Sequence, residues 1–150
     1  MTIVLAADHG GFELKEVIKE QLRKGGYQVD DVGCSSGVSV DYPDYAAMAV
    51  ARIVSGECDR GILICGTGIG MSIAANRHPS IRAANCHDEY TTTMSREHND
   101  ANVLCLGARV IDAETALKLV MIWLRTEFAG GRHLRRVGKL AGSCDQAGTD

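Results

Sequence analysis

One stretch constrains the fold of this chain more than any other. A continuous apolar run, Gly61-Ile62-Leu63-Ile64-Cys65, enters the turn Gly66-Thr67-Gly68-Ile69-Gly70 and leads into a helical start at 71–76. An apolar run with no polar alternation is the pattern of a strand buried on both faces, which is how parallel strands sit. The same strand-then-helix alternation recurs along the chain. Strands are predicted at 2–7, 27–32, 61–65, 81–86 and 102–106. Between them, Leu14, Val17, Ile18 and Leu22 recur at helical spacing until Gly25-Gly26 stops the helix. Asp44 is expected to cap a helix through Ala46, Ala49, Val50 and Ile53, and another helix is expected from 88 to about 98. Asp112 is expected to cap a helix with Ala113, Ala116, Leu117, Val120, Met121 and Leu124 on one stripe. Gly130-Gly131 breaks it before a short final helix at 132–140.

That alternation predicts an α/β fold: a doubly wound three-layer αβα sandwich on a five-stranded parallel sheet, Rossmann-like in architecture. Right-handed crossovers bring every strand-to-helix loop to one edge of the sheet, where ligands of such folds bind. The loops due there carry Asp8-His9-Gly10-Gly11, Cys65-Gly66-Thr67-Gly68, Cys86-His87-Asp88 and Gly107-Ala108-Arg109. There is no internal repeat and no linker. Residues 1–140 are expected to form the one domain, and 141–150 a flexible tail.

The 150 residues suffice for a core that needs no disulfide or metal staple. A net charge of −3 argues against a general nucleic-acid binder. No stretch reaches the ~20 apolar residues of a membrane helix, and 3–7 is too short for a signal-peptide core. The chain is therefore expected to be soluble and cytoplasmic, with neither nucleic acid nor membrane as a partner. Its six cysteines form no CxxC pair and no zinc spacing is present, so most are expected to be buried thiols.

The loop at 66–70 admits three readings. It could be a tight turn. It could be a dinucleotide fingerprint, but Met71 stands where the third glycine or alanine belongs, although Asp88 follows at about the right distance. A cradle of backbone N–H groups for a small oxyanion fits the residues better. Cys65 is either a core thiol or, at the ligand edge of a strand and beside a helix N-terminus, an activated base. Arg132 and Arg136 share a helix face and could grip a phosphate, or form a solvated basic turn. His98, with Asn99 and Asp100 beside it, could transfer a proton or be a surface histidine. Asp8 and His9 end the first buried strand abruptly.

Taken together, the segments resemble the ribose-5-phosphate isomerase B family, which also includes galactose-6-phosphate isomerase subunits. The resemblance rests on Ala7-Asp8-His9-Gly10-Gly11-Phe12, Asp41-Tyr42-Pro43, the 61–70 segment, Ser95-Arg96-Glu97-His98-Asn99-Asp100-Ala101-Asn102-Val103-Leu104, Gly107-Ala108-Arg109 and Gly131-Arg132-His133. It extends in family order to about Val137.

The resemblance implies aldose–ketose isomerisation of a sugar phosphate through an enediolate, with no metal and no cofactor. Cys65 would be the base between C1 and C2, and His98 would open the furanose ring. Thr67 and the amides of Gly66, Gly68, Ile69 and Gly70 would stabilise the oxyanion. Asp8, Tyr42 and Asn99 would contact the sugar, and His9, Arg109, Arg132 and Arg136 would hold the phosphate. One branch of the family uses a glutamate just after the glycine loop; Met71 occupies that place here, which favours Cys65. The implied reaction interconverts ribose 5-phosphate and ribulose 5-phosphate in the pentose phosphate pathway, in a homodimer or tetramer whose site is shared between chains. The alternatives are a hexose-6-phosphate isomerase acting on allose or galactose 6-phosphate, a nucleotide-binding oxidoreductase or regulatory domain, and a non-catalytic sugar-phosphate sensor.

Overall fold

Every interior strand carries apolar side chains on both faces, and the two sets face different helices in the computed structural model, which describes residues 1–140. The order along the chain is β1 (Thr2–Ala7), α1 (Phe12–Lys24), β2 (Gln28–Asp31), α2 (Tyr42–Val54), β3 (Arg60–Cys65) and α3 (Ile69–Ala75). Then come β4 (Ala83–Asn85), α4 (Glu89–Glu97), β5 (Val103–Gly107), α5 (Ala113–Arg125) and α6 (Arg132–Leu140). The five strands form one parallel sheet in the order β2-β1-β3-β5-β4. This is the three-layer α/β architecture expected from the alternation. The tail expected at 141–150 lies outside the described residues.

Ile3, Leu5, Ile62, Ile64, Leu104 and Leu106 point to one side, against Leu14, Ile18 and Leu22 of α1 and Leu119, Val120 and Trp123 of α5. Val4, Ala6, Leu63, Cys65, Val103 and Cys105 point to the other, against Ala46 and Ala49 of α2 and Met71 and Ala75 of α3. A fully buried Leu or Ile contributes ~1.5–3 kcal/mol, so the two cores hold the sheet between its helices. Cys65 belongs to the α2/α3 side, at the last position of β3.

Four local expectations shift. β4 spans three residues rather than six, because the backbone N–H of Arg82 donates to the Asn102 side chain instead of to a neighbouring strand. The N-cap of α2 is Asp41, and Asp44 lies inside the first turn; Pro43 there supplies a preset φ and needs no amide partner. On α1, Val17 is exposed at 40%, whereas Lys15 is buried at 1%. Lys15 is accommodated by ion pairs to Asp31 at 2.6 Å and Glu16 at 2.7 Å. On α5 the buried stripe runs through Ala116, Leu119, Val120, Trp123 and Leu124, rotated away from Ala113 and Met121 toward the tryptophan.

Candidate active site

The carboxyl edge of the sheet gathers the ends of β1, β3 and β5. Backbone bonds tie them together: Asp8 N–H donates to Ile64 C=O, Ala108 N–H to Cys65 C=O and Arg109 N–H to Gly66 C=O. Asp8 is buried at 8% exposure, and its Oδ1 accepts from the amides of Gly10 at 2.9 Å and Gly11 at 3.1 Å. The carboxylate thus braces the turn that carries His9. His9 Nδ1 accepts from Val40 N–H at 3.2 Å, which leaves Nε2 to bear the ring proton. The Arg109 guanidinium lies over the Gly66 backbone, so close that a side chain there would meet it at 3.2 Å. His9 and Arg109 both line a cavity of about 660 Å³.

Cys65 is 5% exposed. Its Sγ accepts a hydrogen bond from Gly68 N–H at 3.1 Å, inside the turn that leads into α3. Gly68 has φ +79°, and a Cβ there would collide with Asn85 Oδ1. Glycine is required at 68 by both backbone and space. Thr67 is exposed, and its hydroxyl accepts from Ile69 N–H at 3.3 Å. The Tyr42 ring packs on the Gly70 backbone, at the head of an apolar groove of about 640 Å³ between α2 and α3.

The remaining expected residues lie at the opposite edge. α4 starts beyond the carboxyl end of β4 and runs back antiparallel to the sheet, so His98, its C-cap, emerges near the strand beginnings. Asn102 C=O accepts from Gly61 N–H at the start of β3, and Arg82, just before β4, donates to the carbonyls of Asn99 and Asp100. α6 sits against the same end: Ala129 N–H donates to Glu97 C=O, and the His133 ring stacks on His98. Arg132 and Arg136 are exposed on α6. One strand length, about 17 Å, separates this group from Cys65 within one chain.

Asp8, His9, Tyr42, Cys65, Thr67, the glycine turn and Arg109 therefore come together, while His98, Asn99, Arg132 and Arg136 form a second cluster. His133, which the sequence presents only as the end of Gly131-Arg132-His133, is buried against His98. Its imidazole is pushed below the usual histidine range by burial, then by the positive charges of His98, Arg132 and Arg136. Among the described residues no cluster of three or more His, Cys, Asp or Glu is placed to hold a metal ion, and no helix is long and apolar enough to cross a membrane.

A parallel sheet with a thiol, an acid and a glycine turn at its carboxyl edge defines an α/β enzyme scaffold. The family it belongs to is that of the Ribose/Galactose Isomerases, whose model matches residues 3–140. The chain is 47% identical to ribose-5-phosphate isomerase B of Escherichia coli, over 90% of this chain and 91% of that one. It superposes on the ribose-5-phosphate isomerase B of Clostridium thermocellum with TM-score 0.94 and 54% identity, covering 95% and 96% of the two chains. The ribose-5-phosphate isomerase B of Mycoplasma genitalium, solved with bound ribulose-5-phosphate, gives TM-score 0.90 and 38% identity, with 94% of each chain covered.

Proposed function

We propose that this protein interconverts ribose 5-phosphate and ribulose 5-phosphate, with Cys65 as the base. The observation that carries the reading is the Cys65 sulfur at the end of β3, held by the Gly68 amide in a turn rich in further backbone donors. As the thiolate, Cys65 takes the proton from C2 of the open aldose, and the electron pair moves into an enediolate. The resulting thiol returns a proton, exchangeable with solvent, to C1, while the O2 hydroxyl proton passes to O1, to give the ketose. Backbone donors of the 66–70 turn and the Thr67 hydroxyl face the developing oxyanion, where one such donor is worth ~10²–10³ in rate. His9 and Arg109 hold the phosphate, and Asp8 orients a hydroxyl. No metal or cofactor enters these steps. The activity belongs in the cytoplasm, and the five cysteines among the described residues, all free and buried, suit a reducing compartment.

The site is composite in this reading, formed in a homodimer or a pair of such dimers. His98, Asn99, Arg132 and Arg136 of a second copy complete the carboxyl edge of the first, with His98 opening the furanose ring. Two features support this. The two clusters sit at opposite edges, too far apart to serve one substrate. The α2/α3 groove runs from Tyr42 and Gly70, beside the first cluster, to Arg77 and His78 toward the other edge of the sheet. A two-fold axis across that groove would place each cluster on its complement. Co-expression of Cys65→Ala and His98→Ala chains tests the arrangement. A shared site restores about a quarter of the wild-type rate, because half the dimers are mixed and each has one intact site. No recovery would rule it out. A panel of pentose and hexose phosphates, read with wild type and Cys65→Ala, tests the substrate assignment against allose and galactose 6-phosphate.

A further inference from the structure

α6 buries a single side chain, and that side chain is an imidazole. His133 is 9% exposed, whereas Arg132, Leu134, Arg135 and Arg136 around it are all exposed. Its ring lies parallel to that of His98, with centroids 4.1 Å apart and planes 13° apart. The backbone fastens the pair: His133 N–H donates to Gly130 C=O at 3.0 Å, and Ala129 N–H donates to Glu97 C=O at 3.0 Å, one residue before His98. Among the described residues no hydrogen bond reaches the His98 imidazole, and the His133 ring stacks on it. The charged groups facing His133 are His98, Arg132 and Arg136, all cationic or able to become so, and Glu97 opposite them. With desolvation added, that balance favours the uncharged ring. Two protonated rings at this spacing would repel each other strongly.

We propose that His133 is a positioning residue for the isomerisation, a flat aromatic floor that fixes the plane from which His98 moves a proton at the ring oxygen of a furanose phosphate. The inference rests on the reading of His98 given above and goes beyond it in assigning the group that aims the imidazole. A flat ring at 133 is the requirement; an acid–base group there is not. This explains why a histidine is buried on a helix otherwise made of solvated, largely basic residues.

The test separates plane from titration. His133→Phe keeps a flat uncharged ring, and His133→Ala removes it. Two readouts are taken: turnover of ribose 5-phosphate, which is largely cyclic, and deuterium uptake from D₂O at C1 of ribulose 5-phosphate, which is open-chain and needs no ring opening. His133→Ala is expected to lower kcat on ribose 5-phosphate by about 10–100-fold, the scale of an ångström-level misplacement, with KM within about twofold. His133→Phe is expected within about threefold of wild type, with a superimposable pH profile of kcat. Deuterium uptake should stay within about twofold of wild type in both variants. Unchanged turnover in His133→Ala, equal impairment in the two variants, or a shifted pH profile in His133→Phe would each overturn the proposal. The underlying reading fails differently: His98→Ala would then turn over ribose 5-phosphate at the wild-type rate, and the inference would fall with it.

Discussion

Gly68 N–H points at Cys65 Sγ across 3.1 Å, so the atom assigned to proton transfer and the turn assigned to charge stabilisation are one hydrogen-bonded unit. The geometry depends on a left-handed backbone at Gly68, φ +79°, with Asn85 Oδ1 and the Leu106 carbonyl carbon closing the space where a Cβ would go. Gly68→Ala therefore has to move the turn. The expected outcome is a loss of ~10²–10³ in kcat, the scale of a misplaced oxyanion donor. Circular dichroism should still report a folded α/β chain, since the substitution sits at the rim of the sheet. Steady-state kinetics showing less than a tenfold loss would mean that the turn does not face the reacting oxygen.

Cys65→Ala tests the sulfur directly. The side chain packs in the α2/α3 core, so its removal leaves a small void and costs on the order of 1 kcal/mol of stability. Turnover should fall by at least ~10²–10⁴, the contribution of a positioned base. A thermal melt separates the two effects: a shift of a few degrees with activity abolished supports the assignment. Retained turnover would place the base elsewhere.

Much of this fold was legible because its interior strands are apolar on both faces. Ile3, Leu5 and Val4, Ala6 are adjacent in sequence yet serve different cores, and only a doubly covered strand tolerates that. Hydrophobic pattern alone overextends the fourth strand. Ile81 looks like strand, but its register is ended by the Asn102 side chain, a long-range bond that hydrophobic pattern does not encode. Lys15 was invisible for a similar reason, since its burial on α1 depends on Asp31, which arrives from the end of β2. The site was half legible. Residues ending strands fell at the carboxyl edge as expected, but the placement of His98 near the strand beginnings follows from the direction of α4. His133 carried no usable signal: a histidine among arginines reads as solvated until its ring is seen on His98.

The Lys15–Asp31 pair predicts an acid limb in stability. Burial alone would raise the Asp31 pKa, but hydrogen bonds from Lys15 and Lys19 and from the Gly33 amide outweigh it and hold the carboxyl below its usual range. A depressed folded pKa contributes stability that is fully present above the unfolded value near ~3.9 and is lost as pH falls through the folded value. Wild-type melting temperature should therefore drop steeply below about pH 4. Asp31→Asn should cost about 2–3 kcal/mol at pH 7, less than a fully orphaned buried charge because Glu16 still pairs with Lys15. Its melting temperature should also fall less between pH 5 and pH 3 than that of wild type. Parallel pH curves for the two proteins would remove Asp31 as the acid-sensitive group.

Asp100 predicts an ordering among variants in which backbone and charge can be told apart. Its φ is +46°, a left-handed conformation that Asn and Gly accept more readily than Ala. Its carboxylate accepts from Arg82 at 3.2 Å and forms an ion pair with Arg96 at 2.8 Å. Arg96 is 4% exposed, and among the described residues its other hydrogen-bond partners are the carbonyls of Ala101 and Thr126. Asp100→Asn keeps the backbone preference and loses the charge, Asp100→Gly keeps the backbone and loses the side chain, and Asp100→Ala loses both. Stability should fall in that order. The Gly variant should exceed the Ala variant by ~0.5–1 kcal/mol, the left-handed penalty of ~1–2 kcal/mol less the entropy cost of glycine. Turnover should follow the same order, because the turn held by Arg82 and Arg96 presents His98 and Asn99. Chemical denaturation and steady-state assays on the three proteins check both. If Asp100→Ala proved as stable as Asp100→Gly, the strained turn would not be a constraint on the fold, and the clamp on His98 would have to be charge alone.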